Sequence, residues 1–395
     1  MLTPDSAKKE VVKLTQELVR IKSVNPPGDE LPAAEFLAGR LKQFGFETEV
    51  VTVAKNRANV IAVIKGTGEA PAIMFNGHLD VVPAGDLSAW SREPFCGDIA
   101  DGKIWGRGSS DMKGGVAAMC VAAALLGASK PRLKGDLMVT AVSDEESNSI
   151  GARHYVEHNS LDNIGAVVIP ESTNLDIVIA EKGTLWYELT TYGKTAHSTQ
   201  PEIGVNAVEH MMQLLSAVKA KWEAIPYKSD KYLSPPTINI ATISGGVKTN
   251  SIPDRCVATV DLRPVPSQGR AAVMAAIEAA VAETGRKVPK FKADVKVINE
   301  RLPFATDPNE RLVTLSQSIL SRMLNRKMDL FGVNFFTDAA VFATKKSIPS
   351  IIMGPGEYDL RNNIYLGHQP NEYVKIENLE KAMEFYYELS KAMLL

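Results

Sequence analysis

Ala72-Ile-Met-Phe-Asn-Gly-His-Leu-Asp80 decides the fold class of this chain. Its first four residues are apolar without alternation, as in a strand buried on both faces. It then ends in an imidazole and a carboxylate. Strands of this kind belong to parallel sheets covered by helices, and such sheets keep their sites at strand ends. Leu137 to Val142 repeats the pattern and ends in Ser143-Asp-Glu-Glu-Ser147; Ala166 to Ile169 repeats it again and ends in Pro170-Glu171. Between them Trp105-Gly-Arg-Gly-Ser-Ser-Asp-Met-Lys-Gly-Gly115 delivers Asp111 and opens an Ala- and Met-rich stretch, read as a buried helix from Met112 to Leu126.

Outward from that core, strand and helix alternate. Thr3-Pro4 reads as an N-cap with proline at the first helical position, and Val11, Leu14, Leu18 and Ile21 recur at helical spacing. The alternation predicts an α/β fold, a largely parallel sheet wrapped by helices. The pattern changes at Glu181-Lys-Gly183. From there a strand, a helix, two strands, a helix and a last strand ending near Ile298 spell β-α-β-β-α-β, a ferredoxin-like unit. The expected domains are therefore 1–181 with 300–395, and an inserted domain at 182–299.

At 395 residues two domains are the default. The formal charge of −2 offers no electrostatic case for nucleic acid or an anionic membrane. Three scattered cysteines without a C-x-x-C argue against disulfides and thiolate metal sites. The N-terminus lacks the apolar core of a signal peptide, and Val116 to Leu126 is about half the ~20 residues a bilayer span needs. A cytoplasmic location is the resulting expectation.

The candidate chemistry has two readings at each position. His78 is either a metal ligand whose tautomer Asp80 fixes, or a strand-end residue with local hydrogen bonds. Asp111 is a ligand or an N-cap. Gly106-Arg-Gly108 half-matches a dinucleotide loop, but Asp111 stands where the third glycine belongs. Asp144-Glu145-Glu146 is a solvated acidic turn, or a ligand beside a general base, since adjacent carboxylates repel unless a cation compensates them. Glu171 and His368 each sit in a loop that either reading explains. His154-Tyr-Val-Glu-His158 matches an H-x-x-E-H metal motif but is one short helix, read as surface. His197, in the inserted domain, could reach a site only across a cleft or a subunit boundary. Arg263 could grip a carboxylate bidentately or pair within its own domain.

Taken together, Gly77-His-Leu-Asp80, Gly106 to Gly115, Asp144-Glu-Glu146, Pro170-Glu171, Thr195-Ala-His-Ser198, Asn250-Ser-Ile-Pro253, Asp261-Leu-Arg263 and Gly367-His368 resemble the M20 metallopeptidase family, in family order across nearly the whole chain. That family includes acetylornithine deacetylase, succinyl-diaminopimelate desuccinylase, aminoacylase-1 and glutamate carboxypeptidase. The resemblance implies a two-zinc centre, with Co²⁺ or Mn²⁺ as alternates, in which Asp111 bridges, His78 and Glu171 complete one position, and Glu146 and His368 the other. It implies Glu145 as general base, Asp80 as support for His78, and a cis peptide after Asp111. It implies that His197 comes from a partner subunit to stabilise the oxyanion, through an inserted domain that serves as lid and dimerisation surface, and that Asn250 and Arg263 bind the substrate carboxylate. The implied reaction is hydrolysis of an N-acyl amino acid, of the deacetylase or desuccinylase type, with a dipeptidase or carboxypeptidase as runner-up and a non-catalytic metabolite-binding relative as the reading from another class. Phe336-Thr-Asp338 lacks the glycine that many relatives show there, which leaves that loop without an implied role.

Overall fold

The computed structural model describes residues 2–129 and 131–395. It divides into two compact units. One holds the chain up to Ala180 with Ala305–Gly332 and Thr337–Leu395; the other holds Glu181–Phe304 and Val333–Phe336.

The first unit is built on a sheet whose strands run in the order Glu47–Ala54, Arg57–Ile64, Leu137–Val142, Ala72–His78, Ile164–Ile169, Ser350–Ile352, Ile177–Glu181 and Phe304–Ala305. Its centre is parallel: Ala72–His78 lies between Leu137–Val142 and Ile164–Ile169, and Ser350–Ile352 continues the set. The flanking pairs are antiparallel. Every residue of Ala72–His78 is buried, which is why its apolar run does not alternate. Because the central strands are parallel, His78, the Asp144-Glu-Glu146 turn and Glu171 leave the sheet at the same end.

Helix Gly114–Ala128 packs against Pro4–Arg20 and Ile376–Leu394. Every residue from Gly114 to Leu126 is buried, so the stretch is apolar all round rather than amphipathic. The helix begins two residues later than the sequence suggests. Ser109–Lys113 forms a wide, π-type turn in which Asp111 and Met112 leave helical φ/ψ. One expectation needs correcting: Ser109–Ala128 is long and apolar enough by composition to cross a membrane, but 83% of the qualifying window is buried inside the protein. Gly115 is required where this helix meets the sheet, since a Cβ there would lie 2.0 Å from the Pro170 carbonyl oxygen. The missing side chain lets the helix sit on the strand end that carries Glu171.

Helix Pro4–Arg20 starts as its sequence predicts. Thr3 caps it, Pro4 occupies the first turn, and Thr3 and Ser6 form a reciprocal capping box. Short strands escaped the sequence reading. Asp98–Ala100, Lys103–Trp105 and Tyr373–Lys375 form a separate three-stranded sheet. Three-residue strands are too short to show a period.

The second unit has strands Thr184–Tyr192, Thr237–Gly245, Arg255–Arg263 and Lys292–Arg301, with helices Ala207–Glu223 and Arg270–Lys287. The sheet order is Thr237–Gly245, Arg255–Arg263, Thr184–Tyr192, Lys292–Arg301, antiparallel throughout. That is the ferredoxin-like topology. Leu185, Tyr187, Leu189, Val260 and Leu262 form its core with Met211, Leu214 and Ile277 of the helices. Thr237–Gly245 is an edge strand whose residues are nearly all exposed.

Candidate metal centre

The end of strand Ala72–His78 places the His78 ring in the interior, 1% exposed. Its Nδ1 lies 2.9 Å from the backbone oxygen of Asp80. A carbonyl only accepts, so Nδ1 carries a hydrogen and Nε2 is the atom left to face a cation. That Nε2 is 3.1 Å from Asp111 Oδ1 and 3.1 Å from Glu171 Oε1. On the other side of Asp111, His368 Nε2 is 3.1 Å from Asp111 Oδ2 and 3.0 Å from Glu146 Oε2. Asp111 thus stands between two imidazoles, each also facing a glutamate. The His368 side chain is 47% exposed while those of Asp111, Glu146 and Glu171 are nearly buried, so the centre opens to solvent beside His368.

The electrostatics show a cluster short of positive charge. Burial and the Asp111 charge push Glu146 and Glu171 each up to about 7. Burial works against charge on the two rings, but hydrogen bonds to Asp111 with Glu171 or Glu146 override it. They hold His78 well above its usual value and lift His368 to about 11. Burial also opposes charge on Asp111, yet His368 and His78 keep its carboxyl well below the usual range. Without a cation, these groups can coexist only by retaining protons. Imidazole and carboxylate donors converging in this way are the donor set of a divalent metal site. Two sets of ligand atoms lie within 4.8 Å of one another: His78 with Glu145 and Glu171, and His78 with Asp111 and Glu146.

Asp80 lies beside His78 and also holds the turn of Glu145 and Glu146. Its carboxylate is 3.5 Å from His78 Nδ1, and the backbone oxygen makes the closer contact. The carboxylate also accepts the backbone N–H groups of Glu145 and Glu146, each at 3.1 Å. Asn25 Nδ2 holds it at 2.9 Å and also reaches Asp144 Oδ1 at 3.0 Å. Arg57 bonds Asp144 through Nη1, and its Nη2 donates to Asn25 Oδ1 at 2.7 Å. The turn that carries both glutamates is therefore held by a buried polar network reaching back to residue 25.

A second buried carboxylate fixes Asp111. Glu372 Oε1 accepts the N–H groups of Ser110 at 2.9 Å and Asp111 at 3.0 Å, and its Oε2 pairs with Arg107 Nη1 at 2.5 Å. The peptide bond from Asp111 to Met112 is cis. Because Arg107 is buried, Glu372→Ala leaves its guanidinium unpaired and is expected to cost about 3–5 kcal/mol of stability, read as a lowered urea midpoint. Tyr365 also enters the cluster, donating its hydroxyl hydrogen to Asp111 Oδ2.

Residues 74–392 match the family described as Peptidase family M20/M25/M40. The chain belongs to that family. As an M20 protein it is a metal-dependent amidohydrolase. It is 27% identical to a probable succinyl-diaminopimelate desuccinylase of Staphylococcus epidermidis, over 97% of both chains. It is 29% identical to an acetylornithine deacetylase of Salmonella paratyphi B, over 94% of this chain and 95% of that one. Its fold is similar to that of an M20 family metallo-carboxypeptidase from Sulfolobus solfataricus, with TM-score 0.79, 21% identity, and 97% and 98% of the two chains covered.

In this M20 chain the first unit gathers His78, Asp80, Asp111, Glu145, Glu146, Glu171 and His368. His197, Asn250 and Arg263 belong to the second unit. There His197 and Asn250 are neighbours: His197 bridges to Ser251, and Ser198 N donates to the Asn250 oxygen at 3.1 Å. Both side chains are exposed. Arg263 pairs within its own unit, Nε with Asp261 at 2.9 Å and Nη1 with Thr184 Oγ1 at 2.6 Å. Phe336 falls in this unit too, with the Arg301 guanidinium 3.7 Å from its ring centroid. The rival His154–His158 pair stacks at 4.0 Å on helix Ile150–His158, where His158 Nδ1 meets the His154 carbonyl oxygen. Asn25, Arg57, Tyr365 and Glu372 were not among the sequence candidates. Only the carboxylate of Glu372, four residues past His368, offered even a weak signal.

Proposed function

We propose that this M20 enzyme hydrolyses the amide bond of an N-acyl amino acid, as an acetylornithine deacetylase or succinyl-diaminopimelate desuccinylase does, on a two-metal centre. The observation that carries this reading is Asp111 set between two His–Glu pairs, with Glu145 beside them. His78, Glu171 and Asp111 would hold one ion, and Asp111, Glu146 and His368 the other. The oxygen and nitrogen donors suit Zn²⁺, with Co²⁺ or Mn²⁺ as alternates. When bound, such a pair supplies Lewis-acid polarisation of the amide carbonyl and makes water acidic enough to deprotonate near neutral pH.

Glu145 takes the proton of the attacking water and passes it to the departing amine. Its Oε2 lies 4.0 Å from His78 Nε2, farther from that ring than Glu171 at 3.1 Å. Asp80 holds its backbone in place. Asn250 and Arg263 bind the carboxylate of the amino acid, Arg263 with its guanidinium braced by Asp261 and Thr184. His197, supplied by a second copy of the chain, donates to the developing alkoxide, a role worth about 3 kcal/mol for one donor. Support for that second copy comes from the edge strand Thr237–Gly245, where Ile240 and Ile243 are 41% and 52% exposed, an unpaired edge suited to strand addition. The inserted unit would then serve as lid and dimerisation surface.

A panel of acetyl and succinyl amino acids and dipeptides, assayed under one metal condition, tests the reading. The highest kcat/KM is expected on an N-acyl amino acid. Preference for dipeptides would move the enzyme to the peptidase side of the family, and no turnover by fully metallated protein would sink the assignment.

A further inference from the structure

We propose that Tyr365 is a positioning residue for Asp111, one that acts on only one of the two metal positions. The inference rests on the two-metal reading above.

Asp111 presents two oxygens in different surroundings. Oδ1 faces His78 Nε2 at 3.1 Å. Oδ2 faces His368 Nε2 at 3.1 Å and also accepts the Tyr365 hydroxyl. The phenol is therefore attached to the His368 and Glu146 side of the carboxylate. A neutral phenol is a single, directional donor. Bonded to one carboxylate oxygen, it fixes the direction of the remaining lone pair on that oxygen.

The placement of Tyr365 is built rather than incidental. Tyr358–Asp359 and Ile364–Tyr365 pair as an antiparallel hairpin immediately before His368. The hairpin tip is anchored by Arg361, whose Nη1 reaches Asp176 Oδ2 at 2.7 Å while Arg326 holds the other oxygen of Asp176 at 2.7 Å. The Arg361 guanidinium also lies 4.8 Å from the Phe331 ring centroid. Tyr358 packs edge-on against the Tyr365 ring at 5.3 Å, and His368 does the same from its own side at 5.7 Å. Gly367 makes this approach feasible, because a Cβ there would fall 2.2 Å from the Tyr365 ring. One hairpin thus delivers both the His368 imidazole and the hydroxyl that orients the carboxylate His368 shares.

Hydrogen-bond partners of metal ligands typically govern about 10- to 100-fold in metal affinity or activity. Tyr365→Phe removes the hydroxyl and keeps the ring that packs against Tyr358 and His368. The measurement is the Zn²⁺ binding isotherm of the full chain after chelator stripping, by competition with a chromophoric chelator, for wild type and variant. Two equivalents are expected for wild type. In the variant one equivalent should weaken about 10- to 100-fold, the other should stay as in wild type, and the melting temperature of the metal-free protein should be unchanged. Two equivalents that both bind as in wild type would overturn the proposal, and so would equal weakening of both. Fewer than two equivalents in wild type would overturn the two-metal reading itself, a result distinct from an unaltered variant.

Discussion

Glu145→Gln is expected to lower kcat about 10²- to 10⁴-fold, the range a positioned general acid–base contributes, while the protein keeps its fold and both metal equivalents. In free energy this is roughly 3–5.5 kcal/mol of transition-state stabilisation. The amide keeps the size of the side chain and cannot take a proton at neutral pH. Metal content is the discriminating readout, because the ligand atoms of Glu145, His78 and Glu171 lie close enough to share an ion. A variant that loses one equivalent would make Glu145 a ligand. A variant that keeps both equivalents and wild-type kcat would remove it from the chemistry. Asp80 gives the base role its structural basis, since one carboxylate anchors the N–H of Glu145 and of Glu146. The proposed base and the proposed ligand beside it would thereby be set by a single support.

Stripping both metals is expected to abolish activity and to lower the melting temperature by roughly 10–20 °C. A ligand present at about 100 times its Kd adds about 2.7 kcal/mol per site, and for a unit of this size each kcal/mol moves Tm by about 2–4 °C. Activity and Tm should both return with Zn²⁺ or Co²⁺. The pH dependence of the stripped protein has a definite sign. Glu146 and Glu171 titrate at about 7 when folded, above the ordinary 4.5, and His368 at about 11, above 6.5. In each case the folded state binds the proton that the unfolded state has released. These three groups therefore make stability fall as pH rises, from about 4.5 to 7 for the glutamates and above 6.5 for His368, while Asp111, held low by the two rings, takes stability away only at pH below its ordinary 3.8. The stripped protein should melt lower at pH 8 than at pH 5, and restored metal should raise Tm most at pH 8. A stripped protein with a flat profile over that range, fully active after chelation, would mean the cluster holds no functional metal.

Much of the fold and of the candidate centre was legible because the signals were local. Ala72 to Phe75 is wholly apolar and Leu137 to Val142 apolar but for Thr140, and the two proved to be buried neighbours paired in parallel at the centre of the sheet. The β-α-β-β-α-β order from Thr184 to Arg301 followed from periodicity alone. The boundary of helix Gly114–Ala128 was misplaced because Asp111 and Met112 have ordinary side chains, and nothing in their identity announces a wide turn. The closer of the two Asp80 contacts to His78 is not legible in the sequence for a related reason. An H-x-D spacing places a carboxylate near an imidazole, but which oxygen reaches the ring depends on how the backbone turns after the strand.

By itself, the sequence determined the residue types at the ends of the buried strands, and hence a divalent-cation donor set on an α/β scaffold. Strand burial is written in composition, and parallel strands bring their ends together without further instruction. Only the tertiary structure decided what holds those donors in place. Arg57 meets Asp144 from 87 residues away, and Tyr365 meets Asp111 from 254. Glu372 reaches Asp111 from 261. Contacts across such separations arise from packing of whole elements, so no local pattern in the chain encodes them.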